Sequence, residues 1–315
     1  MAKIPFALRI LLFFINLKPL DPNIPLNKSR KLVTGFMRLF DRLFGLRSHN
    51  FYSVTDAGFQ SAEGHEIKLK IFTPVKSDTP LPVWMYFHGG GFAHGAYDAR
   101  LNFPKAIATR ANCIVVSVEY RLSPEHPFPA APNDCYEATL WVSKNAASFG
   151  GDGARIAVGG ESAGGTLAGT IAMMARDKGI PHIAYQTLLY PAVDDAHQYP
   201  SMAENANGYM LTQALVEQYG QAYMPSPDVL NEYATLQGHK LEGLPPALII
   251  TCGYDPLRDE GDLYARELAK AGVPVRHKRY DNMIHDFIVL MPRFLPEARE
   301  ATDVIAEELR NAFKS

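Results

Sequence analysis

Ser162 lies in the stretch GGESAGG, residues 159–165, where nearly every neighbour lacks a side chain of any size. The apolar run RIAV precedes it and the helical stretch GGTLAGTIAMMARDKG follows. Gly160-Glu161-Ser162-Ala163-Gly164 is thus a GxSxG set between a predicted strand and a predicted helix, the context that gives the pattern meaning. A sharp strand-to-helix turn brings neighbouring chain segments close, so only small residues fit two positions before and two after the serine. The hydroxyl then projects from the sheet edge at the positive end of a helix, on a strained backbone. A flexible linker is the alternative for the glycines alone, so the rest of a nucleophilic machinery has to be sought elsewhere in the chain.

A serine that attacks a carbonyl needs donors for the oxyanion it creates. HGGGF at residues 88–92 follows the apolar run LPVWMYF, and consecutive glycines let backbone N–H groups converge without side-chain obstruction. A phosphate-cradling loop is the competing reading. It fits less well, because no lysine plus Ser/Thr follows and the GxGxxG spacing is absent. Two N–H groups from Gly89, Gly90 and Gly91, with Gly90 and Gly91 favoured, together with that of Ala163, are the candidate oxyanion donors.

The serine also needs a base, and the base an orienting acid. Among ten histidines, His285 stands out in YDNMIHDF, between the last predicted strand and the closing helix. The acid candidate is Asp255 in TCGYDPLRDEG, at the carboxyl end of a strand. Asp255 before Pro256 would also make a good helix N-cap. Asp259 is the rival acid, a turn further on and inside the helix. The order Ser162, Asp255, His285 is that of an α/β-hydrolase triad.

These residues require a scaffold that brings distant loops to one place. HEIKLKIFTPV, LPVWMYFHG, CIVVSVEY, RIAVGG, AYQTLLYPA, PALIITCGYD and VPVRHKRY read as strands, most of them continuously apolar. Such strands are buried on both faces, which implies a mostly parallel sheet covered by helices. Helical stretches at 98–111, 133–148, 163–178 and 259–271 fall between them, and PEAREATDVIAEELRNAFK closes the chain as an amphipathic helix. The alternation predicts an open α/β sheet. About fifty residues separate AYQTLLYPA from PALIITCGYD, far more than an ordinary connection. Residues 196–242 are read as an insertion over the strand ends, with SMAENANGYMLTQALVEQYGQAYM helical.

The first fifty residues read as two short helices joined by a proline hinge. In the second, Leu32, Val33, Phe36, Met37, Phe40, Leu43 and Phe44 recur at helical spacing, with Lys31, Arg38, Asp41 and Arg42 on the other face. The favoured reading packs this apolar face onto the body; were the segment part of a cap, Phe36, Met37, Phe40 and Phe44 would cover the mouth of the pocket at Ser162. A basic amphipathic helix lying on a membrane is the alternative. IPFALRILLFFIN is interrupted by Arg9, is too short to span a bilayer and leads into KPLDPNIP, so stable insertion is not expected.

Composition bounds the rest. The 315 residues, 47% hydrophobic, suit one large domain with an insertion. A net charge of −2 supplies no field to attract nucleic acid. Cys113, Cys135 and Cys252 lie apart in apolar surroundings and read as small buried hydrophobes in a reducing compartment, with a cytoplasmic location expected. No metal site and no cofactor are expected.

Taken together, HGGGF, YRLSPEHPFPAA at 120–131, GESAGG, DPLRDEG and IHDF resemble, in order, the hormone-sensitive-lipase-like esterases, also called bacterial family IV, of the α/β-hydrolase superfamily. The resemblance covers the chain from about residue 50. It implies an eight-stranded, mostly parallel sheet with a helical cap built from residues 1–50 and 196–242 around a catalytic domain of residues 51–315. It puts the nucleophile at Ser162, the acid at Asp255, the base at His285 and the oxyanion donors at the HGGG glycines and Ala163. Glu161 stands where many relatives carry Asp or Thr, and its charge resembles the Asp-bearing group. The resemblance also gives Arg121 and Glu125 a structural role under the nucleophile turn, with His88 and His126 as structural histidines. The function expected is hydrolysis of short to medium acyl esters through an acyl-enzyme. Amide cleavage by the same triad and a non-catalytic ligand-binding relative are the alternatives. VPVRHKRY is a candidate edge strand for pairing two subunits.

Overall fold

Strand β3, Leu81–Phe87, is buried along its whole length, as is β7, Ala247–Tyr254, and both lie inside a sheet of eight strands. The computed structural model describes residues 3–17, 19–47, 51–195, 198–226 and 231–314. The strands are β1 Ser53–Gln60, β2 Glu66–Thr73, β3, β4 Ile114–Glu119, β5 Gly151–Glu161, β6 Ile183–Leu189, β7 and β8 Val275–Ile284. Their spatial order is β1-β2-β4-β3-β5-β6-β7-β8. The first two pairings, β1 with β2 and β2 with β4, are antiparallel, and the remaining ones are parallel.

Helices cover both faces. Apolar residues of α4 (Ala130–Asn145), α5 (Ala163–Lys178) and α8 (Arg258–Lys270) share a core with Val83, Met85 and Val158 on one side. α3 (Asn102–Ala111), α10 (Pro296–Ala312) and Leu8 and Leu12 of α1 (Phe6–Leu17) pack with Trp84, Val115 and Ile250 on the other. Each such fully buried aliphatic side chain contributes about 1.5–3 kcal/mol relative to exposure. This two-sided burial is why the strands read as unbroken apolar runs. The three cysteines are free and buried.

Several expectations need correction. β1 is absent from the strands legible in the sequence, because SVTDAGFQ is largely exposed and pairs with a single neighbour, so no apolar run marks it. The stretch predicted helical between 201 and 224 is broken. α6 spans only Pro200–Glu204 and α7 spans Gln213–Tyr223. Positive φ at Gly208 and Met210 turns the chain between them, and the Thr212 side chain caps α7 by accepting from the Leu215 N–H. The second N-terminal helix, α2, is long, Leu26–Phe44. Its apolar residues are split: Leu26 is buried with Ser29, Thr34 and Asp41, Val33, Met37, Phe40 and Phe44 are half-buried with Phe40 against the core, and Leu32, Phe36, Leu39 and Leu43 are exposed. The polar trio is buried because each finds a partner on the body. Ser29 Oγ lies 2.9 Å from His94 Nε2, Thr34 accepts from the Gly95 N–H, and Asp41 accepts from the Asn102 N–H.

α9 spans Phe287–Leu290, between β8 and α10. Residues 48–50, 196–197 and 227–230, which fall within the expected cap segments, lie outside the described residues.

Candidate active site

The carboxyl ends of the parallel strands bring four loops together, the usual place for a ligand in an open α/β sheet. Ser162 follows β5, Asp255 follows β7, His285 follows β8 and the HGGGF loop follows β3. Ser162 has φ 55° and ψ −123°, a conformation that side chains rarely adopt. The turn needs its glycines for close approach. A Cβ on Gly160 would sit 2.1 Å from the Phe87 carbonyl oxygen, and one on Gly164 1.9 Å from the same atom. The Ser162 N–H donates to the Leu189 carbonyl at 2.8 Å, which anchors the turn to the end of β6.

His285 bridges the other two residues. Its Nε2 is 2.8 Å from Ser162 Oγ and its Nδ1 is 2.7 Å from Asp255 Oδ2. With the proton on Nδ1, the ring donates to the carboxylate and accepts from the serine hydroxyl. Burial alone would lower the imidazole pKa, but the Asp255 charge and hydrogen bond outweigh it and hold it above the ordinary value. The capping reading of Asp255 holds at the same time: Oδ1 accepts the Leu257 N–H at 2.9 Å. Asp259 is elsewhere. Its Oδ2 accepts the Ser201 N–H and its Oδ1 pairs with Arg258.

The HGGG loop curls beside Ser162. Gly90 and Gly91 have φ of 122° and 61°, and the Gly90 carbonyl accepts from the N–H groups of Ala93 and His94. The Gly89 N–H points at the Glu161 carboxylate. His88 stacks on Tyr120 and its Nδ1 lies 2.9 Å from the Gly89 carbonyl. Burial pushes its pKa down to about 4, so it is neutral. Ala163 opens α5 directly after Ser162.

Arg100 carries no mark in the sequence, yet it is buried between two carboxylates next to the triad positions. Its Nη1 lies 3.4 Å from Glu161, and its Nη2 lies 2.5 Å from Asp286. Tyr86 also donates to Glu161, at 2.9 Å. Burial raises the Glu161 carboxyl to about 7 despite Arg100. Asp286, buried as well, is held below the usual carboxylate range by the Arg100 charge. One guanidinium thus ties the residue before Ser162 to the residue after His285. The two carboxylates are 61 and 186 positions away from it in the chain, so no local pattern could reveal the link.

Beside Ser162 lies a cavity of about 80 Å³. Phe92, Leu211, Val216, Tyr219 and Leu257 supply apolar wall, three of them from the segment between β6 and β7. No described residue of the first 47 lines it, so Phe36, Met37, Phe40 and Phe44 are not among its walls. α2 reaches the site through polar atoms instead. His94, with its pKa lowered to about 4 by burial, lies between Ser29 and the Tyr219 hydroxyl, 2.8 Å from the latter. The Tyr219 ring covers Gly91 so closely that a Cβ there would fall 2.3 Å from it.

Among the described residues, no hydrogen bond or ion pair joins the side chains of Arg121 or Glu125 to the nucleophile turn. Arg121 pairs with Asp134 and Glu63, and Glu125 with Arg30 of α2. His126 is exposed. Among the described residues, no group of three or more His, Cys, Asp or Glu is arranged to hold a metal ion.

An eight-stranded α/β sheet with a serine on a strained strand-to-helix turn, hydrogen-bonded to a histidine, defines the α/β-hydrolase class. The α/β-hydrolase fold family matches residues 84–289. Over 225 residues, 70% of each chain, the protein is 43% identical to the esterase LipI of Mycobacterium tuberculosis. It is 40% identical to the carboxylesterase NlhH of the same species over 242 residues, 75% of this chain and 76% of that one. A solved structure of a hyperthermophilic esterase from the archaeon Pyrobaculum calidifontis superposes with a TM-score of 0.91, at 36% identity and over 99% of both chains. The chain belongs to the hormone-sensitive-lipase-like, or bacterial family IV, esterases of the α/β-hydrolase superfamily, and is a hydrolase of the carboxylesterase class.

Proposed function

We propose that this protein cleaves small carboxylic esters of short to medium acyl chain through an acyl-enzyme formed on Ser162. The observation that carries the reading is the continuous chain from Ser162 Oγ to His285 at 2.8 Å and from His285 to Asp255 at 2.7 Å. Ser162 Oγ attacks the ester carbonyl while His285 Nε2 takes its proton. The negative oxygen is held by the N–H groups of Gly90, Gly91 and Ala163, since Gly89 is committed to Glu161. Collapse expels the alcohol, which receives the proton from His285. Water, deprotonated by the same imidazole, then attacks the acyl carbonyl and releases the acid and free Ser162. Asp255 keeps the ring in the required tautomer and stabilises its charged form.

The acyl chain lies in the cavity beside Ser162, whose modest volume and apolar wall favour short chains. Helices α1 and α2 and the segment 198–226 act together as a cap. Gln218 donates to the Ile24 carbonyl, Asn16 donates to the Gly208 carbonyl, and His94 links Ser29 to Tyr219. β8 stands at the sheet edge, which supports the reading that two subunits pair through it. The test is labelling by a fluorophosphonate with the adduct mapped by mass, followed by a chain-length series of aryl esters. Labelling at Ser162 and loss of turnover in step with it are expected. Unlabelled protein, or a label elsewhere with turnover gone, overturns the assignment.

A further inference from the structure

The two N-terminal helices wear their apolar stripes outward. On α1, Phe6, Ile10, Phe13, Phe14 and Leu17 follow the i, i+4, i+7, i+8, i+11 spacing of one helix face, while Leu8 and Leu12 are buried against the body. Phe6 is 74% exposed, and Phe13 and Phe14 are 62% and 63% exposed. On α2, Leu32, Phe36, Leu39 and Leu43 form a second stripe at the same spacing, opposite the side that holds Thr34 and Asp41. Of the fifteen exposed large hydrophobic residues among those described, ten fall in the first 47 residues. An apolar surface this concentrated is a contact surface rather than scatter.

The charge around it selects the partner. Residues 1–47 contain nine Lys or Arg and two Asp, whereas the whole chain has a net charge of −2. Asp41 is buried, so it does not offset the basic surface. Lys28, Lys31 and Arg42 make no ion pair among the described residues, and helical geometry places them along one flank of the Leu32–Leu43 stripe. Arg9 sits beside the α1 stripe. Bulky apolar side chains flanked by cations on a helix that is otherwise anchored by polar contacts match the surface of an anionic bilayer, with the rings at the level of the acyl boundary and the cations among the headgroups. No described helix is long and apolar enough to cross a membrane, so such contact is in the plane of the interface.

We infer that the outward face of α1 and α2 docks this enzyme onto anionic phospholipid surfaces. Docking engages the outward side chains of these helices, and no described residue of the first 47 lines the cavity beside Ser162.

The experiment is flotation of the full chain with phosphatidylcholine vesicles made with and without phosphatidylglycerol, at low and high salt. Two variants accompany it: Phe13→Ser/Phe14→Ser, and Lys28→Glu/Lys31→Glu/Arg42→Glu. Expected is flotation with phosphatidylglycerol vesicles only, weakened by salt, and reduced at least about tenfold in each variant. Turnover of a short soluble ester is expected to be unchanged in both, which also reports that they are folded. Absence of flotation with the anionic vesicles at low salt overturns the proposal, as does flotation that neither variant weakens. A dimer in solution that becomes monomeric on Phe13→Ser/Phe14→Ser places a second copy on this face and overturns it too.

Discussion

Asp255 Oδ2 lies 2.7 Å from His285 Nδ1 while Oδ1 of the same carboxylate accepts the Leu257 N–H. One side chain therefore orients the candidate base and shapes the entry to α8. The two tasks separate on substitution. Asp255→Asn keeps an oxygen for the Leu257 N–H, so the melting temperature is expected to change little. It removes the charge that holds the imidazolium, a loss that can reach about 10⁴-fold in turnover. Asp259→Asn, at a side chain bonded to Ser201 and Arg258 rather than to His285, is expected to leave turnover near normal. Melting curves and turnover on both variants decide it, and equal losses in the two would remove Asp255 from the role.

Ser162→Ala is expected to remain folded, because its N–H bond to Leu189 and the close packing of Gly160 and Gly164 do not involve the hydroxyl. Turnover should fall by about 10⁶-fold, leaving only what binding and oxyanion donors supply. Circular dichroism with an active-site titration is the check. Near-normal activity in this variant would sink the nucleophile assignment.

The pH dependence follows from the raised imidazole pKa. The base must be neutral to accept the Ser162 proton, so kcat/KM should fall on the acid side with a midpoint above 6.5. Asp255→Asn removes the main interaction that raises it, so the residual activity of that variant should show an acid limb shifted to lower pH. The linked stability has a definite sign. The His285–Asp255 pair stabilises the fold fully below the ordinary imidazole value, and that contribution fades as pH rises through the raised folded one. A limb that does not move on Asp255→Asn would argue that another group controls it.

Asp41 offers a second pH signature at a distance from the chemistry. Burial raises its carboxyl to about 6, although the Asn102 N–H and Arg100 pull the other way. The folded state then holds the proton more tightly than the unfolded chain. Stability should decline as pH rises from about 4 through 6 and level off above, by up to about 3 kcal/mol. Asp41→Asn is expected to flatten that slope. Urea melts of both proteins at intervals across this range are the measurement, and parallel slopes would contradict the burial argument.

Leu211 and Val216 line the cavity beside Ser162 and come from the segment between β6 and β7. Leu211→Ala and Val216→Ala should move the preference toward longer acyl chains, by roughly tenfold in the ratio of kcat/KM values for esters differing by a few methylenes. Preference unchanged in both variants would place the acyl chain elsewhere.

What the sequence determined by itself is what rests on short-range sterics and on burial of whole elements. The small residues around Ser162 follow from a turn that presses the chain against Phe87, a constraint visible in the seven residues 159–165. Strands β3 and β7 are apolar throughout because helices cover both of their faces, so they announce themselves. Chain order together with the family resemblance selected Asp255 and His285, and the fold brings His285 within hydrogen-bond distance of both Asp255 and Ser162. The tertiary structure decided the rest. β1 is a strand because β2 offers it a hydrogen-bonding edge, and its own side chains say little. The periodicity of α2 gave its helix but not its orientation. Ser29, Thr34 and Asp41 have polar partners on the body, and those partners are specific, whereas a hydrophobic stripe specifies only that some covering surface exist. Arg100 is the clearest case. Its value lies in two carboxylates brought beside it from separate loops, and a long-range buried charge pairing leaves no trace in the spacing of residues along the chain.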